Sequence, residues 1–171
     1  MKKFLIGLFI LGLTNLTFSQ QQLAVVNYNS DVAVERNKNV DFLSVFAKED
    51  MASRIQKLQK VVADYDITSK SIFKADDPST YKVVFKEGKN EVIAVYNQDG
   101  YMVSSEGKYV NIRLPYVIGK DLSKTYPGWR FNKNHCTIDY LESGKTNIIY
   151  TVQLEKGNRK KTVKINAANY N

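Results

Sequence analysis

A chain of 171 residues, about 150 once a leader is removed, has room for one ordinary domain or two very small ones sharing a core. One cysteine and one histidine exclude an internal disulfide and a zinc site of three or four converging His and Cys ligands. The formal charge of +8 is spread thinly, and its densest run lacks the interleaved aromatics of an RNA-binding motif.

The first residues read as an export signal. Lys2 and Lys3 form a positive start, Phe4 to Leu13 (FLIGLFILGL) an apolar run, and Thr17 and Ser19 place small residues where signal peptidase cuts. The run is about half the roughly 20 residues needed to span a bilayer. A signal peptide over residues 1–20, cut near Ser19 to Gln21, is therefore expected, with no cysteine after the cut to carry a lipid. The mature chain is expected to have no membrane span and to be periplasmic or secreted.

From Gln20 to Ala47 the signals are weak. Leu23 to Tyr28 has the composition of a short strand and Asn29 to Asn39 is polar and turn-rich, so residues 21–47 are expected to be weakly ordered or an edge strand. Between Lys48 and Tyr65, Met51, Ile55, Leu58, Val62 and Tyr65 recur at helical spacing, which predicts one amphipathic helix. Glu49 and Asp50 would form its acidic first turn, favoured by the helix dipole. Strands are predicted from Ile67 to Lys74, Tyr81 to Lys86, Glu91 to Tyr96 and Tyr101 to Ser104. The Asp-Asp-Pro, Glu-Gly-Lys-Asn and Asn-Gln-Asp-Gly separators between them carry turn chemistry, so the strands form an antiparallel meander. A second helix opens at Leu114-Pro115, runs through Ile118, Leu122 and Tyr126, and stops at Pro127-Gly128. Strands recur from Trp129 to Tyr140, Asn147 to Leu154 and Lys160 to Ala167.

The chain thus reads helix plus sheet, twice. Sliding it over itself by 69 residues superposes Tyr81, Val83, Gly88, Asn97 and Tyr101 on Tyr150, Val152, Gly157, Asn166 and Tyr170. Such alignment around a Gly-containing turn predicts an internal duplication, with repeats over residues 48–110 and 111–171. The fold class expected is α+β: duplicated helix-plus-antiparallel-sheet units with the helices on one face of the sheet.

Three stretches carry a resemblance: YNQDGYMVSSEGKY (Tyr96 to Tyr109), NIRLPYVIGKDLSKTYPGW (Asn111 to Trp129) and the closing hairpin. Together they resemble the PepSY-like family of exported Bacteroidota proteins, whose sheet-and-helix unit is related to the β-lactamase-inhibitor-protein architecture. The resemblance spans about residues 48 to 167. It implies a packed antiparallel sheet, helices on one side and a sheet face free to bind, but no established activity.

Catalytic chemistry finds little support. Nucleophilic catalysis needs a Ser or Cys held by a base, and His135 is the single histidine. Its neighbour Cys136 cannot pair with it on one strand, because adjacent side chains point to opposite faces. Carboxylates such as Asp76, Asp77, Asp99, Glu106, Asp121, Asp139, Glu142 and Glu155 sit mainly in predicted turns, and a hydrolase would need two of them to meet in one cleft. The phosphate-binding glycine motifs and the H-x-G-H of nucleotidyltransferases are absent. Neither a cofactor nor a metal is expected.

What remains is surface. Tyr109, Tyr126, Trp129 and Tyr140 cluster in the second half with Arg113 and Arg130, residue types that carry binding hot spots and also build ordinary sheet cores. Arg159, Lys160 and Lys161, with Lys156 and Lys164 nearby, read either as a solvated strand end or as a surface for an anionic partner. The leading expectation is a non-catalytic binding or inhibitory module whose partner is a protein or peptide. The alternative is a periplasmic small-ligand or envelope-glycan binder, and export argues against nucleic acid.

Overall fold

The computed structural model describes residues 22–27, 39–47, 50–74 and 79–170; the expected signal peptide and most of the polar stretch after Tyr28 lie outside the described residues. Seven strands form one sheet in chain order: β1 (Gln22–Asn27), β2 (Tyr81–Glu87), β3 (Asn90–Tyr96), β4 (Met102–Val110), β5 (Arg130–Leu141), β6 (Thr146–Lys156) and β7 (Arg159–Asn166). β2 to β7 are an antiparallel meander, and β1 runs parallel to β2. A parallel neighbour needs a crossover. Helices α1 (Val40–Ala47) and α2 (Ser53–Asp64) lie in that connection, and α3 (Tyr116–Thr125) lies between β4 and β5. The antiparallel-rich α+β architecture is therefore present.

The core follows from period-two alternation. The register sets Tyr81 beside Tyr96, Val83 beside Ala94 and Phe85 beside Val92, and all six are buried. Beyond β4 the same face carries Cys136 beside Tyr150 and Ile138 beside Ile148. Ile55, Leu58 and Val62 of α2 and Ile118 and Leu122 of α3 join the same buried cluster. The Tyr96 hydroxyl donates to the Val62 carbonyl at 2.6 Å, joining β3 to the end of α2 while satisfying a buried polar atom.

Turn chemistry sets the hairpins. Gly88 (φ 58°) and Gly157 (φ 57°) each stand first in a two-residue loop, the position where a type II′ turn needs positive φ. No break separates the two expected repeats, because β4 and β5 pair from Ser104 with Leu141 to Val110 with His135.

Several expectations are corrected. The helix expected from Lys48 to Tyr65 is α2, which begins at Ser53, and Asp50 does not serve its first turn. Asp50 instead reaches the start of α3, accepting from the Tyr116 amide at 3.0 Å and from Arg113 at 2.7 Å. Both bonds hold its carboxyl below the ordinary range. The strand expected from Ile67 to Lys74 is a 3-10 turn at Ile67–Ser69, because the Asp66 carboxylate accepts from the amide and hydroxyl of Thr68. Of the segment expected to be weakly ordered or an edge strand, Gln22–Asn27 is the edge strand β1, whereas Val40–Ala47 forms the unexpected α1, whose Phe42 and Phe46 are buried with their rings 4.9 Å apart. β4 continues to Val110, well past Ser104.

Candidate functional site

The six aromatic and basic residues singled out from the sequence do not form one cluster. Tyr109 and Tyr140 are core residues, 0% and 5% exposed, on the buried face of β4 and β5. Desolvation raises both phenols above their ordinary pKa, Tyr109 by the larger amount. Arg113 stands at the start of α3, paired with Asp50. Tyr126 and Trp129 meet just past the end of that helix, about 15 Å along its axis. Arg130 follows Trp129 in sequence, but the register sets it opposite Glu155, which it contacts at 3.4 Å.

Two cation–aromatic contacts come together at the end of the β6–β7 hairpin. Along β6, Tyr150, Val152 and Leu154 occupy the core side of the sheet, and Lys156 continues their alternation. Along β7, Ile165 and Val163 do the same, and Lys161 and Arg159 continue it. Each row begins in the core and ends in cations. The Tyr-Pro-Gly-Trp turn lies over those cations, with the Tyr126 and Trp129 rings 6.5 Å apart and edge to face. Arg159 stands 5.5 Å from the Trp129 ring centre and Lys161 stands 4.6 Å from that of Tyr126. Lys156 donates to the Pro127 carbonyl at 3.2 Å. Gly128 makes that approach possible: its φ is +77°, and a Cβ there would lie 3.2 Å from the Lys156 ammonium.

The electrostatics are one-sided. Lys156 and Arg159 are directly opposite one another across the hairpin, a pairing of like charges that costs stability. Neither they nor Lys161 has a carboxylate within 4.0 Å among the described residues. Glu155, the nearest acid in sequence, is on the opposite face and takes Arg130, Lys160 and the Asn132 amide. Two cations thus stand on the two aromatic rings and a third holds the turn between them, none with a carboxylate within 4.0 Å among the described residues. Chemically, such a corner can hold an anionic group by charge-assisted hydrogen bonds.

A groove of about 410 Å³ opens beside this corner, lined by Leu122, Tyr126, Val163, Ile165 and Tyr170 among others. Tyr170 closes one side by donating to Asp121 at 2.6 Å, and that hydrogen bond raises the phenol's pKa. Elsewhere the sheet keeps reactive groups apart. Cys136 is fully buried while His135 is exposed on the other face. Burial pushes the Cys136 thiol up to about 12. Among the described residues no three His, Cys, Asp or Glu side chains gather where a metal could be held, and no helix is long and apolar enough to cross a membrane.

Sequence reasoning placed Tyr126 and Trp129 in the site and read Lys156, Arg159 and Lys161 apart from them, as a solvated strand end or a surface for an anionic partner. The signal for them was present: residues 159 and 161 are two apart on a strand, so they share a face. The turn that sets the rings over them could not be read from spacing alone. Comparison with known proteins yields no matching family model, no similar curated protein and no similar solved structure.

Proposed function

We propose that this chain is an exported, non-catalytic binding module of the cell envelope, PepSY-like in organisation, and that it grips a protein partner at the Tyr126–Trp129 corner. The observation that carries the reading is the group of Lys156, Arg159 and Lys161 at the Tyr126–Trp129 turn, with no carboxylate within 4.0 Å of the three among the described residues. A fold that needed only to be soluble would offset like charges set across a hairpin; a fold that binds an anionic surface leaves them for its partner.

The order of elements supports the duplicated organisation. α2 is followed by β2, β3 and β4, and α3 by β5, β6 and β7. The 69-residue shift sets β2 on β6 and β3 on β7, bringing Gly88 onto Gly157 at matching turns and Tyr81 onto Tyr150 in the core. Helices on one face agree with the shared buried cluster. The opposite face keeps polar residues such as Lys82, Glu106, Thr137 and Lys164. The glycan alternative is less favoured, since sugar rings stack on open aromatic faces and these rings already carry cations.

The test is photo-crosslinking of the tagged protein in its own cells, with an Arg159→Ser/Lys161→Ser double variant run in parallel. A partner captured by wild type and lost by a variant of unchanged unfolding midpoint supports the reading. Equal capture by both proteins removes the corner from the interaction.

A further inference from the structure

We infer that β7 is a strand-addition edge, where an acidic, extended segment of the partner pairs as an eighth strand. This rests on the binding-module reading and names how the partner is held. Among the described residues β7 ends the sheet, and nothing pairs with its outer side. The two-residue loop makes Lys156 and Arg159 a hydrogen-bonded pair, and such pairs alternate along an antiparallel ladder. Lys160, Thr162 and Lys164 therefore present their N–H and C=O groups outward. None of these backbone groups has another partner among the described residues.

The side chains select the charge of what can add. β7 has the sequence RKKTVKIN, with four cations and no acid in eight residues. Lys160 and Lys164 flank Thr162 on one face, while Arg159 and Lys161 lie on the other. Lysines along an edge repel a second copy of the same edge. They attract a strand whose side chains are carboxylates, because residues directly opposite in a ladder have Cβ atoms about 5 Å apart. The groove of about 410 Å³ lies on the core side of β7, lined by Leu122, Tyr126, Val163 and Ile165 among others. An added strand that alternates acidic and apolar residues would set its carboxylates beside Lys160 and Lys164 and its apolar side chains at the groove. Backbone bonds then hold the segment while alternate side chains specify it.

The test is calorimetric titration of the purified protein with an eight-residue peptide alternating glutamate and valine. Two control peptides accompany it: one N-methylated on every second amide, which cannot donate along one edge, and one with lysine in place of glutamate. One-to-one binding is expected for the glutamate peptide alone, weakening as salt is added. The informative variant is Thr162→Pro, which removes one outward N–H and leaves the ladder to β6 intact. It is expected to keep the wild-type unfolding midpoint and to bind about tenfold more weakly or not at all. Equal binding of the N-methylated peptide would reduce the edge to a patch of charge and overturn strand addition. So would wild-type affinity in Thr162→Pro, or no binding of the glutamate peptide. If that peptide fails while cellular capture still depends on Arg159 and Lys161, the strand mode falls and the binding module stands. If the Arg159→Ser/Lys161→Ser variant captures the partner as well as wild type while the peptide still binds through Thr162, the corner falls and the edge stands.

Discussion

Gly107 and Tyr109 are neighbours on one face of β4, and the tyrosine ring lies back across the glycine. A Cβ built on Gly107 would come 2.8 Å from Tyr109 Cε2 and 3.2 Å from its hydroxyl oxygen. Carbon atoms in good contact stay about 3.5 to 4.0 Å apart, so the overlap exceeds half an ångström. The ring cannot retreat, because Tyr109 is fully buried. Gly107→Ala should therefore destabilise the protein by about 1 to 3 kcal/mol, the usual cost of overpacking. With the ring removed the sign reverses: in a Tyr109→Ala background the same change relieves a strand of glycine's extra unfolded-state entropy and should stabilise by about 0.5 to 1 kcal/mol. Tyr109→Ala alone costs about 3 to 5 kcal/mol, within the usual stability of a domain this size. Urea unfolding of the four proteins gives the cycle, and a coupling of at least about 1.5 kcal/mol is expected. Equal effects of Gly107→Ala in both backgrounds would refute the idea that the glycine is there to seat the ring.

Two further outcomes follow from buried polar groups. Gln59 is fully buried on α2 and neither side-chain polar atom has a partner, so Gln59→Met should raise stability by about 1 to 3 kcal/mol in urea unfolding, and a loss would mean the amide is satisfied. Cys136 has a folded pKa raised from 9.0 to about 12, so its contribution is complete below pH 9 and is lost as pH rises toward 12. Stability should then fall with an extra slope of about 1.4 kcal/mol per pH unit between those limits, and Cys136→Ala should lack it. Equal alkaline slopes in the two proteins would show that burial does not hold the thiol protonated.

How far the sequence disclosed this fold varied with how local the deciding interaction was. β2, β3, β5, β6, β7 and α3 were legible because alternation, glycine turns and the Pro-Gly stop act within a few residues. β4 was read only to Ser104, since Ser105, Glu106, Gly107 and Lys108 look polar, and the Tyr109 ring that lies over Gly107 is not visible in their alternation. The error at Ile67 came from a stronger local competitor, the Asp66 carboxylate. Asp50 was assigned to the wrong helix because its partners, Arg113 and Tyr116, are more than 60 residues away. In the site, Trp129 and Tyr126 were legible from their turn. Tyr109 and Tyr140 were not separable from them by residue type, since the same rings build cores and interfaces alike.

β1 is joined to the sheet differently from every other strand. Most meander strands meet partners a short turn away and β4 meets β5 across the single helix α3, whereas β1 pairs with residues about 60 positions on, after two helices have intervened. Closing so long a connection carries a loop entropy that the hairpins avoid, so β1 is expected to dock after the meander has formed. It is also six residues long, with Leu23 and Val25 60% and 56% exposed, so little holds it once local opening begins. Its amides should exchange with solvent before those of β3 to β6, and each detachment bares the backbone of β2 along a second edge. In a crowded compartment that intermittently open edge, with two lysines and a glutamate where β7 has four cations and no acid, is where unwanted assembly would start.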